Sequence, residues 1–276
     1  MNADVREKLE LLKRAIADRG PMLIAYSGGV DSALLAVIAR DVPGSRSRCI
    51  LLDSPVVPRS AIREAEAIAR EHGLELEIVP VPVMEYSRFR KNPADRCYFC
   101  KKSSAAILKQ RRKDLGFAVI ADGINVSDTG EHRPGITAST EEGIVHPFVD
   151  AGITKEDIRA IARSLDCSFW NKPSAACLSS RIPYGEEITE EKLRAVESAE
   201  DFLREEGFTQ FRVRAHGTIA RVEVPPQDIP TLIRIKDKLV KKFRAIGFSY
   251  VTLDLEGYRS GSMDEVLTGN NPENRI

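Results

Sequence analysis

Apolar residues in the first 165 positions fall into two alternating patterns. Short unbroken runs, Met22-Leu23-Ile24, Ile50-Leu51-Leu52 and Phe117-Ala118-Val119-Ile120-Ala121, read as buried strands, as does Leu74-Glu75-Leu76-Glu77-Ile78-Val79. Between them lie helical stripes. Val5, Leu9, Leu12 and Ile16 share one helix face that Gly20-Pro21 closes. Residues 33–39 read as a buried helix, and Ser60 is placed to cap a helix over 60–72 that Gly73 stops. Further helices are expected over about 101–112 and, from the N-terminal signal Thr154-Lys155-Glu156-Asp157, to Leu165. Strands alternating with helices predict an α/β fold, a parallel sheet flanked by helices.

The pattern loosens over 127–147, where Gly, Pro, Thr and charge predict a long lid or substrate loop. It changes altogether beyond Pro173, Pro183 and Gly185. A helix over 189–206, strands 211–214 and 220–224, a helix over 227–245 and a strand over 250–255 predict a smaller α+β domain with an antiparallel pair. The expected organisation is a nucleotide domain over 1–170, an interdomain linker over 171–187 that carries Cys177, and a C-terminal domain over 188–276.

Composition narrows the partners. Forty-one basic residues balance 41 acidic ones, so no global charge favours nucleic acid or an anionic membrane. The longest apolar runs fall well short of the ~20 residues of a membrane span, and the charged N-terminus does not read as a secretory signal. A cytoplasmic protein is expected. Five cysteines are too few for a disulfide framework in a chain of 276 residues.

The first strand runs into Ser27-Gly28-Gly29-Val30-Asp31-Ser32 and then a helix. Strand, glycine turn and helix N-terminus together form an anion cradle: the glycines bring bare N–H groups to a phosphate and the helix adds its positive end. Ser27 and Ser32 can donate hydroxyls, and Asp31 can hold a Mg²⁺ ion shared with the phosphates. A Walker A loop would carry a lysine where Asp31 stands. The site therefore suits a pyrophosphate leaving group better than γ-phosphoryl transfer, and the six residues resemble the SGGxDS loop of the PP-loop ATP pyrophosphatases. Ser54 and Gly123 follow the expected second and fourth strands, at the carboxyl ends where open α/β sheets bind ligands.

Cys97 and Cys100 lie three apart, near a helix start and beside Arg96, Lys101 and Lys102, which favours thiolate. Cys177 lies on the linker, whereas Cys49 and Cys167 read as buried apolar residues. Three thiolates suit an iron–sulfur cluster with one iron left open. A structural zinc wants a fourth ligand, which His132 or His146 would have to supply. Arg212 and Arg214 share one strand face and suit a phosphate or carboxylate, or else a solvated face paired with Glu223; Arg259 is a weaker candidate of the same kind.

SGGVDS, Asp122-Gly123-Ile124-Asn125, Arg133-Pro134-Gly135, PSAACLSSRIPYG over 173–185 and Arg212-Val213-Arg214-Ala215-His216-Gly217 together resemble the LarE family of PP-loop sulfur transferases, over nearly the whole chain. The resemblance implies an adenine nucleotide alpha hydrolase-like fold. It also implies an ATP- and Mg²⁺-dependent enzyme that adenylates the carboxylates of pyridinium-3,5-biscarboxylic acid mononucleotide and converts them to thiocarboxylates for the nickel-pincer cofactor of lactate racemase. Cys177 matches the sulfur-bearing cysteine of the family. Cys97 and Cys100 place the chain with the three-cysteine branch, for which a [4Fe-4S] cluster on Cys97, Cys100 and Cys177 is implied, in place of sacrifice of the Cys177 sulfur. A homohexamer, with Arg212, Arg214 and Arg259 near a phosphate site, is implied as well. A tRNA thiolase, a PP-loop amidating enzyme and a non-catalytic nucleotide sensor are the rival classes. Balanced charge and the absence of an added RNA-binding module weigh against the first.

Overall fold

The computed structural model describes residues 1–129, 134–173, 177–259, 261–263 and 265. In chain order the first elements are α1 (Ala3–Arg19), β1 (Met22–Tyr26), α2 (Val30–Asp41), β2 (Ser47–Asp53), α3 (Arg59–Glu71) and β3 (Leu76–Pro80). Next come α4 (Ser87–Arg90), α5 (Arg96–Leu115), β4 (Val119–Ala121), α6 (Val126–Thr129), α7 (Pro134–Glu141), α8 (Pro147–Asp150) and α9 (Lys155–Ser164). The remainder is α10 (Glu190–Glu205), β5 (Arg212–His216), β6 (Ile219–Glu223), α11 (Ile229–Arg234), α12 (Lys236–Ile246) and β7 (Tyr250–Leu253).

The chain forms two compact units, Met1–Val83 with Asp95–Ala175, and Met84–Ala94 with Ala176–Ile276. The first is an α/β unit whose parallel sheet runs β3-β2-β1-β4. Alternation along β1 sends Met22, Ile24 and Tyr26 into a core with α1, α2, α3 and α9, while Leu23 packs with Ala105 and Leu108 of α5 on the other face. Helices thus cover both faces, as a parallel sheet requires. The order reverses at β1: β2 and β3 extend to one side, and β4 lies on the other. A gap in the crossover connections therefore opens between the carboxyl ends of β1 and β4.

In the second unit β5 and β6 are antiparallel, as expected, and β7 joins β6 in parallel. Val213, Ala215, Ala220 and Val222 are buried together with Phe202 and Leu203 of α10 and Phe243 of α12. The described end of the expected linker, from Cys177 on, is built into this unit: Gly185 N–H donates to the Asn92 carbonyl, and the Asn92 side chain donates to the Ile182 and Pro183 carbonyls.

Local differences from the sequence reading have physical causes. α3 begins at Arg59, with Pro58 and not Ser60 at its cap position. The described part of the stretch 127–147 holds most of α6 and all of α7 where a long loop is expected, and α8 opens at its end with Pro147, whose fixed φ and missing N–H suit a first helical turn. The helix expected over 227–245 is divided into a 3₁₀ turn (Pro226–Asp228), α11 and α12. α5 begins at Arg96, which places both cysteines inside its first turn and a half.

Candidate functional site

The loop after β1 is held open by its own hydroxyls. Ser27 N–H donates to Ser32 Oγ at 3.1 Å, the Ser32 hydroxyl donates to the Gly29 carbonyl at 3.2 Å, and Gly29 N–H donates to Ser27 Oγ at 3.3 Å. Gly29 occupies the N-cap of α2 without a side chain, so nothing of its own covers the helix end. Gly28 has φ +69°, and a Cβ there would stand 2.7 Å from Ala65 Cα and closer still to Ala65 Cβ. Tyr26 hydroxyl donates to the Ala65 carbonyl at 3.1 Å and so holds α3 against the turn. Gly123, after β4, is needed for a different reason: a Cβ there would meet Ser32 N at 2.7 Å and Asp31 C at 2.8 Å. The turns after β1 and β4 therefore close on each other at the reversal point of the sheet. Ser54 follows β2, is buried, and accepts at its carbonyl from Arg59.

The Asp122–Asn125 turn is fixed from below. Asp122 accepts from Ile124 N–H and lies 2.7 Å from His146 Nδ1, and His146 Nε2 lies 3.0 Å from Thr140 Oγ1. Both ring nitrogens of His146 are engaged, which takes it away from the fourth zinc position. His132 and Arg133 lie outside the described residues.

Three cations from the end of this unit reach the glycine turn, Asp31 or the backbone around Lys172. Lys155 Nζ lies 2.5 and 2.7 Å from the two carboxylate oxygens of Asp31. Lys172 donates to the Gly28 carbonyl at 2.9 Å and pairs with Glu64. Arg159 donates to the carbonyls of Trp170 and Lys172. Burial raises the Asp31 carboxyl above its ordinary range, and the hydrogen bond and charge of Lys155 offset part of that rise. Sequence reasoning missed Lys155 and Lys172. The capping box of Thr154 and Asp157 marked the helix but not what its first residue reaches.

Cys97 and Cys100 share a face at the start of α5, whose cap residue Asp95 makes no side-chain cap bond. α7 leans on this turn: a Cβ at Gly135 would lie 3.2 Å from Lys101 Cγ. Lys102 bridges Glu141 and Glu142 at 2.9 Å each, Lys109 reaches Glu142, and Tyr98 hydroxyl donates to Glu141. Cys49 and Cys167 are buried; burial pushes the Cys49 thiol up to about 12 and raises Cys167. Both are structural thiols. Among the described residues, no group of three or more His, Cys, Asp or Glu is placed to hold a metal ion.

In the second unit Cys177 is exposed and precedes the 3₁₀ turn Leu178–Arg181; its Sγ lies 2.8 Å from Ser179 Oγ. Arg181, buried in a two-pronged pair with Glu200 at 2.9 and 3.0 Å, donates to the Cys177 carbonyl. Arg214 is held in the same manner by Glu223 and donates to the Ser180 carbonyl. Two buried arginine–glutamate forks thus fix the backbone of the Cys177 segment. Burial would raise Glu223, but Arg214 and Arg221 outweigh it and hold the carboxyl below its ordinary range.

The three arginines grouped by sequence consequently differ. Arg214 is taken up by Glu223, and its face is buried, not solvated. Arg259 pairs with Glu256, Glu265 and Asp254. Arg212 has no carboxylate within ion-pair distance among the described residues, stands 5.2 Å over the Tyr258 ring, and is shifted down by burial and by the neighbouring Arg181 charge.

No protein-family model matches the chain. It is 33% identical to the pyridinium-3,5-bisthiocarboxylic acid mononucleotide synthase of Lactiplantibacillus plantarum, over 96% of this chain and 97% of that protein. It is 42% identical to an uncharacterized protein of Synechocystis sp., over 96% of this chain and 99% of the relative. A third relative, an uncharacterized protein of Methanocaldococcus jannaschii, is 34% identical over 87% of this chain and 91% of its own length.

Proposed function

Because this chain belongs to the LarE family of PP-loop sulfur transferases, we propose that it uses ATP to convert carboxylates of pyridinium-3,5-biscarboxylic acid mononucleotide into thiocarboxylates. The observation that carries the reading is the lysine-free glycine turn at the reversal point of the sheet, closed against Gly123 and backed by the first turn of α2.

In this reading the N–H groups of the glycine turn and of the first turn of α2, with the Ser27 and Ser32 hydroxyls turning from each other to the ligand, hold the pyrophosphate portion of ATP. Asp31 would hold Mg²⁺, which would supply screening of the phosphate charge. The substrate carboxylate oxygen attacks the α-phosphorus, the bond to pyrophosphate breaks, and an acyl adenylate results. Sulfur then attacks the acyl carbon and AMP leaves with the bonding electron pair. Arg212 gives the substrate phosphate a cationic partner.

Cys97, Cys100 and Cys177 are the residues that would hold a [4Fe-4S] cluster, which supplies an open iron able to carry sulfide. What supports this is the chemistry of the donors: two thiols one turn apart at the start of α5 in the first unit, and one exposed thiol in the second. The exposure of Cys177 also supports a second route, in which its thiolate forms a thioester with loss of AMP. Loss of the Cα proton and cleavage of the Cβ–S bond would then leave dehydroalanine and the thiocarboxylate. Anaerobic iron and sulfide analysis of wild type beside Cys97→Ala separates the two. Iron and sulfide in wild type that fall in the variant are expected. An iron-free wild type whose mass drops by that of H₂S on turnover would establish the sacrificial route.

A further inference from the structure

Asp31 is already paired with a cation that its own loop does not supply. Lys155, 124 residues along the chain, opens α9 and forks both Asp31 oxygens. Resting on the reading that this loop binds ATP, we propose that Lys155 is the phosphate-binding lysine of the site. It is held on Asp31 while no nucleotide is bound and passes to the pyrophosphate oxygens when nucleotide and Mg²⁺ arrive.

Three features support such an exchange. The loop lacks the lysine that a Walker turn would carry, and Lys155 brings an ammonium from outside to Asp31, the residue that stands at that place in the sequence. The root of the side chain is fixed: the Thr154 and Asp157 capping box sets the helix start, and Lys155 N–H donates to Ser127 Oγ at 3.1 Å. The pair itself is partly open, with 35% of the Lys155 and 27% of the Asp31 side chain exposed, against 6% and 0% for the structural pair of Arg214 and Glu223. Partly solvated pairs are held weakly enough to exchange, and lysine is a compact charge on a flexible stem. Mg²⁺ on Asp31 replaces one cation with another, while the incoming phosphates give the released ammonium a new anion.

Titration calorimetry with inorganic pyrophosphate, with and without Mg²⁺, tests this on the full chain. Lys155→Gln is expected to weaken Mg²⁺-free pyrophosphate binding about tenfold or more, the worth of one charge-assisted hydrogen bond. Lys155→Arg is expected to keep much of the affinity. Asp31→Asn is expected to strengthen Mg²⁺-free binding, since it frees the ammonium and removes a repelling carboxylate, and in the Lys155→Gln background the same change should give a smaller gain. Unchanged binding by a folded Lys155→Gln, or a gain from Asp31→Asn that is as large in the Lys155→Gln background as in wild type, would overturn the proposal and leave Lys155 as a structural partner of Asp31. A wild type that binds neither pyrophosphate nor ATP would remove the nucleotide reading itself, and this proposal with it.

Discussion

Replacing Gly28 with alanine should damage both stability and nucleotide binding, and the size of the effect can be worked from local geometry. At φ +69° an L-residue costs about 1–2 kcal/mol. The new methyl would also press into α3, 2.7 Å from Ala65 Cα, where the Tyr26 hydroxyl already pins the Ala65 carbonyl. Overpacking against such a fixed wall costs about 1–3 kcal/mol more. The total expected loss is about 2–5 kcal/mol in urea unfolding. Gly29 is the internal control: its φ is −76°, and an added Cβ meets only Ser27 Oγ, at 3.3 Å. Gly29→Ala should lose at most about 1 kcal/mol, the weaker N-cap preference of alanine. Ala65→Gly in the Gly28→Ala background should recover part of the loss, because one of the two colliding atoms goes. Should Gly28→Ala unfold within about 0.5 kcal/mol of wild type and bind ATP normally, the close approach to α3 would not be what fixes the loop.

The buried fork in the second unit gives two further expectations. Glu223→Gln leaves the Arg214 guanidinium buried without its counter-charge and should destabilise that unit by about 3–5 kcal/mol, read by denaturant unfolding with near-UV circular dichroism. Acid should act on the same group. The folded carboxyl titrates below its ordinary value of 4.5, so its stabilisation is complete above that pH and is lost as pH falls through the lower folded value. In Glu223→Gln that part of the acid dependence should disappear, and an acid transition identical to wild type would place the proton elsewhere.

What the sequence made legible was local. The glycine turn carries its chemistry within six residues, and the alternation of runs and stripes is enough for a parallel sheet wrapped on both faces. The capping box at Thr154 was readable for the same reason. Lys155 on Asp31 was not, since that contact depends on how α9 packs beside α2, across more than a hundred residues. Arg214 and Glu223 were visible as a pair, but their burial follows from the surrounding sheet and Ser262 and not from their spacing. α8 was hidden because Pro147 falls in a stretch of Gly, Pro and Thr that reads as loop, whereas at a first helical position proline starts a helix.

The central claim, that a glycine turn without a lysine activates a carboxylate for sulfur, is tested most directly by phosphate analysis of a single turnover with ATP, Mg²⁺ and the pyridinium dicarboxylate mononucleotide. Pyrophosphate and AMP released together, only when the dicarboxylate is present, and lost in Asp31→Ala, is the predicted result. Orthophosphate with ADP, or pyrophosphate released at the same rate without the dicarboxylate, would contradict it.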